Sequence, residues 1–238
     1  MKYEKIIDDK DLAKYVEAYN ILTHVEYIIE DMLEEKRPIS FCIDGDIFEG
    51  NTVKVRVLGD DKLCNSREHI LGRNIEFVCE EEAECLNTSL SSILQKLFNA
   101  FYNITKTHLH KHLFEDVEYM EVVLAKGISI VVQGFEKTVY IPHIEDIVFI
   151  AHTHPRGYPP IPSKKDLLSM RDVIAGRGLG GCVHSAQGSF CMYRVGIPTW
   201  RDYESLTLSI NRGGEIRDVC SSSLNIRCFT SFPTLDSI

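Results

Sequence analysis

An apolar strand that ends on two histidines, DIVFIAHTHP from Asp146 to Pro155, limits the folds open to this chain more than any other segment. Side chains of an extended strand alternate between faces. That puts Val148, Ile150, His152 and His154 on one face, and Phe149, Ala151 and Thr153 on the other. Both faces are apolar upstream, so the segment reads as an interior strand. Its imidazoles sit at the C-terminal end, where open α/β sheets build their sites. Histidines at i and i+2 are separated by about 6.8 Å of backbone. Their rings can converge on one ion, with Zn–N distances of about 2.0–2.1 Å.

Taken alone, such a pair is ordinarily a surface or hydrogen-bonded pair near a strand end, and the residues that follow change the reading. A proline-heavy loop with Pro155, Pro159, Pro160 and Pro162 leads to Ser163, which opens a helix expected to run to about Ala175, and Asp166 lies three residues on. As structure, S-x-x-D is an N-cap arrangement in which side chains satisfy free backbone N–H groups. As chemistry, it sets a hydroxyl and a carboxylate at the mouth of a helix facing the histidine end of the strand. Two imidazoles and one carboxylate leave a fourth zinc position open, the arrangement of a catalytic rather than a closed structural site. The prolines stiffen the connection and lower the entropy of holding the ligands together.

His152-Thr153-His154-Pro155 followed by Ser163-Lys164-Lys165-Asp166 resembles the metal motif of the JAMM (MPN+) metalloprotease family, H-x-H-P, a short loop, then S-x-x-D, with a glutamate upstream. The family includes isopeptidases acting on ubiquitin-like proteins, and RadC-type proteins carry a related motif. The spacing differs by one residue: eight residues, Pro155 to Pro162, separate His154 from Ser163, where the family pattern has seven. The resemblance implies that His152, His154 and Asp166 bind zinc, that Ser163 hydrogen-bonds the oxyanion, and that the upstream glutamate takes a proton from the attacking water and delivers it to the leaving amine. Glu118 and Glu121 are both candidates for that glutamate. Three residues apart at the start of a strand, they point to opposite faces. Glu118 precedes the apolar strand as the family's glutamate does and is the first choice, with Glu121 as the alternative. The implied activity is a zinc-dependent hydrolase cleaving an amide or isopeptide bond in a protein or peptide, with a ubiquitin-like modifier as the family-based substrate. A non-catalytic MPN-like scaffold and a RadC-like, DNA-associated protein are the alternatives.

Around this motif the pattern predicts an α/β fold with an N-terminal α+β module, and the resemblance implies a mixed central sheet flanked by helices of JAMM/MPN type. The module spans 1–87, the metalloprotease-like domain 88–212 and a tail 213–238. The module comprises a helix over about Asp11 to Glu35 and short strands between Ile39 and Cys79. It closes on the acidic run Glu80 to Glu84, read as a solvated linker. An amphipathic helix is expected over Thr88 to about His112. Strands are expected in YMEVVLA, ISIVVQG, TVYIPHI and FCMYRVG, whereas the tail has no clear period.

Composition narrows the function classes. The net charge of -9 argues against broad nucleic-acid binding, which needs a basic face. No apolar run has the length of a bilayer span, and the start, MKYEKIIDDKD, lacks the apolar core of a signal peptide, so a cytoplasmic location without membrane contact is expected. The eight cysteines contain no C-x-x-C. They are read as buried free thiols, although Cys182 and Cys191 could face each other across a hairpin. His108, His110 and His112 resemble a metal cluster, but no Glu follows His108 as H-E-x-x-H requires, and a helix-capping role fits better. His184 is read as structural, with a place in the cleft lining as the alternative, and Trp200 as core.

Overall fold

The computed structural model describes residues 2–32, 41–44, 46–58, 64–80, 89–134, 146–213 and 215–231. The chain begins with β1 (Lys2–Ile7) and the long α1 (Lys10–Met32), followed by β2 (Phe41–Asp44), β3 (Thr52–Leu58), β4 (Arg67–Ile70) and β5 (Arg73–Glu80). Then come α2 (Leu90–Leu109), a 3-10 turn (His110–His112), β6 (Tyr119–Leu124), β7 (Ser129–Gln133) and β8 (Ile147–Thr153). The remainder is α3 (Lys164–Ala175), β9 (Gly180–Ser185), β10 (Gly188–Arg194), α4 (Trp200–Asn211), α5 (Ile216–Cys220) and β11 (Ile226–Thr230). The class is α/β with two mixed sheets. Seven strands order as β1-β7-β6-β8-β9-β10-β11, and four as β2-β3-β5-β4.

β8 is the middle strand of the larger sheet, as its two apolar faces require. It pairs antiparallel with β6 and parallel with β9, so α3 is the crossover of a β-α-β unit. One face of the sheet is covered by α1 and α2 in a core that runs on into the four-stranded sheet, through Phe149, Ala151, Phe101, Leu97, Val25, Val55 and Phe77. The other face is covered by α3, α4 and α5 through Ile150, Val183, Met170, Leu206 and Val219. Gly181 permits the close approach of α3: a Cβ there would stand 2.5 Å from Ile150 Cγ1 and 3.1 Å from Met170 Cγ.

Several expectations differ from this arrangement. β1, placed by the sequence in the 1–87 module, pairs with β7 of the larger sheet along its length, and α1 shares the core that runs between the two sheets. The expected tail carries β11, which pairs with β10 from Phe190↔Thr230 to Arg194↔Ile226. Trp200 is 79% exposed rather than core: α4 buries Asp202, Leu206 and Ile210, and the first helical residue points away from that stripe. The free-thiol reading is also corrected. Cys182 and Cys191, directly opposed on β9 and β10, form a disulfide, as do Cys220 and Cys228, while Cys42 and Cys64 each take part in a disulfide of their own. The boundary at 87, the run Glu81 to Glu84 and the strand TVYIPHI fall outside the described residues. Among those described, no helix is long and apolar enough to cross a membrane.

Candidate metal centre

The C-terminal end of β8 delivers His152 and His154 to the α3 face of the sheet, and the first turn of α3 brings Asp166 against them. His152 Nε2 lies 3.3 Å from Asp166 Oδ1, and His154 Nε2 lies 3.8 Å from Oδ2. One ligand atom from each residue falls within 4.8 Å of the other two. Among the described residues, this is the group of three or more such side chains able to hold an ion.

Local chemistry prepares each ring. His154 donates Nδ1–H to the Pro159 carbonyl at 2.7 Å, which orients the ring with its Nε2 toward Asp166. Pro159 is held there by a loop that turns at Gly157 (φ +84°) and is tied back at Arg156. Arg156 donates N–H to Glu115 O and Nε–H to Phe114 O, both at 2.8 Å. The prolines thus act with two anchors on the segment that leads into β6.

Charge states diverge by burial. His152, almost fully buried, is pushed down to about 4 by desolvation, with Asp166 opposing and His154 adding to the shift, so its ring is neutral near pH 7. Burial also works against a charged His154, but the Asp166 carboxylate and the Pro159 carbonyl outweigh it and raise its pKa. Both rings face one carboxylate, and the deeper one loses more hydration. Asp166 is partly desolvated, yet hydrogen bonding from His154, the His152 ring and Ser163 hold its carboxyl well below the usual range. A neutral imidazole, a second imidazole with its tautomer fixed, and a committed carboxylate make a donor set that fits a divalent zinc ion.

Ser163 is the N-cap of α3. Its Oγ accepts from Asp166 N at 3.3 Å, and its N–H donates to Asp166 Oδ2 at 2.6 Å. The capping box is therefore realised alongside the cluster, and one carboxylate serves both.

The two glutamates part company. In the β6–β8 register Met120 lies across from His152, so Glu118, two residues outward, falls on the same face, near enough to His154 and Asp166 to feel both charges. Burial pushes its carboxyl up to about 7, with His154 opposing and Asp166 adding. Glu121 is wholly buried on the opposite, α2 face, where it accepts from Ser129 Oγ at 2.6 Å and lies 2.8 Å from His108 Nδ1.

His108, His112 and His184 are engaged elsewhere. His108 uses both ring nitrogens, the second 3.1 Å from Asp9 Oδ2. His112 lies 2.8 Å from Glu115 and stacks on Tyr119 with ring centroids 3.6 Å apart. His184 is buried on the α2 face against Ser189 Oγ at 2.8 Å. The link from Asp9 through His108 to Glu121 and Ser129 is invisible in the sequence, because its members share no motif and no spacing.

Comparison of the chain with protein-family models, with curated proteins and with solved structures finds no match.

Proposed function

We propose that this chain is a zinc-dependent hydrolase of JAMM type that cleaves an amide or isopeptide bond in a protein or peptide. The observation that carries the reading is the convergence of His152, His154 and Asp166 within 4.8 Å, with the Glu118 carboxyl beside them. His152, His154 and Asp166 would hold the ion. Bound zinc supplies a lowered pKa for water and polarisation of the scissile carbonyl.

The chain's own residues supply the rest. Glu118, with a carboxyl pushed up to about 7, can accept a proton from water and return it to a leaving amine near neutral pH. His152 stays neutral and so remains a donor of its lone pair. Ser163 presents an exposed hydroxyl at the N-terminus of α3. Helix N–H groups there favour developing negative charge. The family-based substrate is a ubiquitin-like modifier joined to a protein, met in the cytoplasm.

A second reading, a non-catalytic MPN-like scaffold, draws on the capping box, which gives Ser163 and Asp166 a structural role without chemistry. The two are separated by activity. Zinc-loaded protein is expected to hydrolyse isopeptide-linked ubiquitin-like conjugates, to lose that activity to a chelator and regain it with zinc, and to lose it by at least about 10²-fold in Glu118→Gln. Zinc binding without hydrolysis of any such conjugate would favour the scaffold.

A further inference from the structure

Behind the candidate centre, on the α2 side of the sheet, one buried polar side chain takes no part in the roles above. Thr153 stands between the two histidines on β8, is 0% exposed and points away from the cluster. Its Oγ1 accepts the backbone N–H of Tyr119 at 3.0 Å. The β6–β8 ladder runs inward from Met120↔His152. One residue further out, the Thr153 hydroxyl stands in for a main-chain acceptor. The backbone of β8 is leaving β6 at that point: His154 donates its N–H to His184 O on β9 at 2.8 Å, and Pro155 follows with no N–H to give. On the opposite flank, Gly134 N–H donates to Glu118 O at 2.8 Å. The outer end of β6 is thus held on one side by backbone and on the other by a side chain of the histidine strand.

We infer that Thr153 is a positioning residue, whose hydroxyl keeps the Glu118 end of β6 in register with the histidine end of β8 and so fixes the Glu118 carboxylate beside the cluster. The inference rests on the zinc reading proposed above. The hydroxyl acts through Tyr119, the immediate neighbour of Glu118, and reaches the far face of the sheet by setting where that backbone lies. Valine has the same shape without the acceptor, so Thr153→Val takes this acceptor away from the Tyr119 N–H and weakens the hold of β8 on this end of β6. Thr153→Ser keeps the acceptor.

The test is a double-mutant cycle on zinc affinity, with Zn2+ itself as the probe in competition with a chromophoric chelator. It uses the full chain as wild type, Glu118→Gln, Thr153→Val, the double variant and Thr153→Ser. Outer partners of a metal site typically change its affinity by about 10–100-fold. Glu118→Gln is expected to weaken zinc binding by a factor in that range, and Thr153→Val by a comparable one. The double variant is then no weaker than Glu118→Gln alone, because the residues act through one path. Thr153→Ser binds like the wild type. Losses that multiply in the double variant, or a Thr153→Val protein that binds like the wild type, overturn the role of Thr153 and leave the zinc reading standing. A wild type that takes up no zinc overturns the zinc reading and this inference with it. If Thr153→Val does not fold, Thr153→Cys, with a weaker acceptor in the same place, runs the same cycle.

Discussion

Under the proposed function, Glu118 is placed for chemistry at the expense of the fold. Its carboxyl is half-buried beside an anionic Asp166, and burial leads the rise of its pKa from the ordinary 4.5 to about 7. An acid whose pKa is raised by folding binds its proton more tightly in the native state, so stability falls as pH rises through that window. Metal-free Glu118→Gln is therefore expected to be more stable than the wild type at pH 8 and equal to it at pH 4, measured by urea unfolding. Equal stability at both values would mean that the carboxyl is not desolvated. At this scale the sequence was highly legible. His152, His154, Ser163 and Asp166 lie on one strand, one loop and one helix start, so alternation and capping rules brought them together. The choice between Glu118 and Glu121 was not, because alternation separates their faces without saying which face the cluster occupies.

Among the elements, α2 is tied to the sheet and to the start of α1 by His108. Its ring bridges Glu121 and Asp9, and Asp9 Oδ1 also accepts from Asp11 N and Leu12 N at the start of α1. Hydrogen bonding to Glu121 leads the rise in the His108 pKa, against desolvation. A histidine with a raised folded-state pKa gives stability that is fully present below its unfolded value near 6.5 and is lost as pH rises through the folded value. His108→Ala is thus expected to cost about 1–3 kcal/mol at pH 6 and clearly less at pH 9, read from thermal or denaturant unfolding. A cost that grows with pH would contradict the charged bridge. The interior strands β6, β7, β8 and β10 were legible from apolar runs. The edge strands β1 and β11 were not. An edge strand is only partly buried and carries charge that discourages further pairing, so KYEKII and IRCFT lack a clean period.

For the whole molecule, α1 is bound to the sheet by a buried ion pair as well as by apolar packing. Arg194 Nη1 donates to both Glu26 oxygens at 2.9 Å, and Arg194 Nε donates to Tyr19 Oη at 3.0 Å. Burial pushes the Glu26 carboxyl up and the Arg194 guanidinium pulls it back. Removing one partner strands the other, so Glu26→Ala should destabilise the protein by about 3–5 kcal/mol in equilibrium unfolding. A loss below about 1 kcal/mol would mean that the guanidinium finds water or another partner. This tie joins residues 168 positions apart, a link that local composition cannot reveal. Under the proposed function, that sheet and α3 together serve to hold two histidines and an aspartate around one zinc ion. The direct test is elemental analysis of zinc in the purified protein and in His154→Ala and Asp166→Ala. About one zinc per chain, lost or sharply reduced in both variants, is the expected result. A wild type that holds no zinc even after reconstitution would leave Ser163 and Asp166 as a helix cap and contradict the central claim.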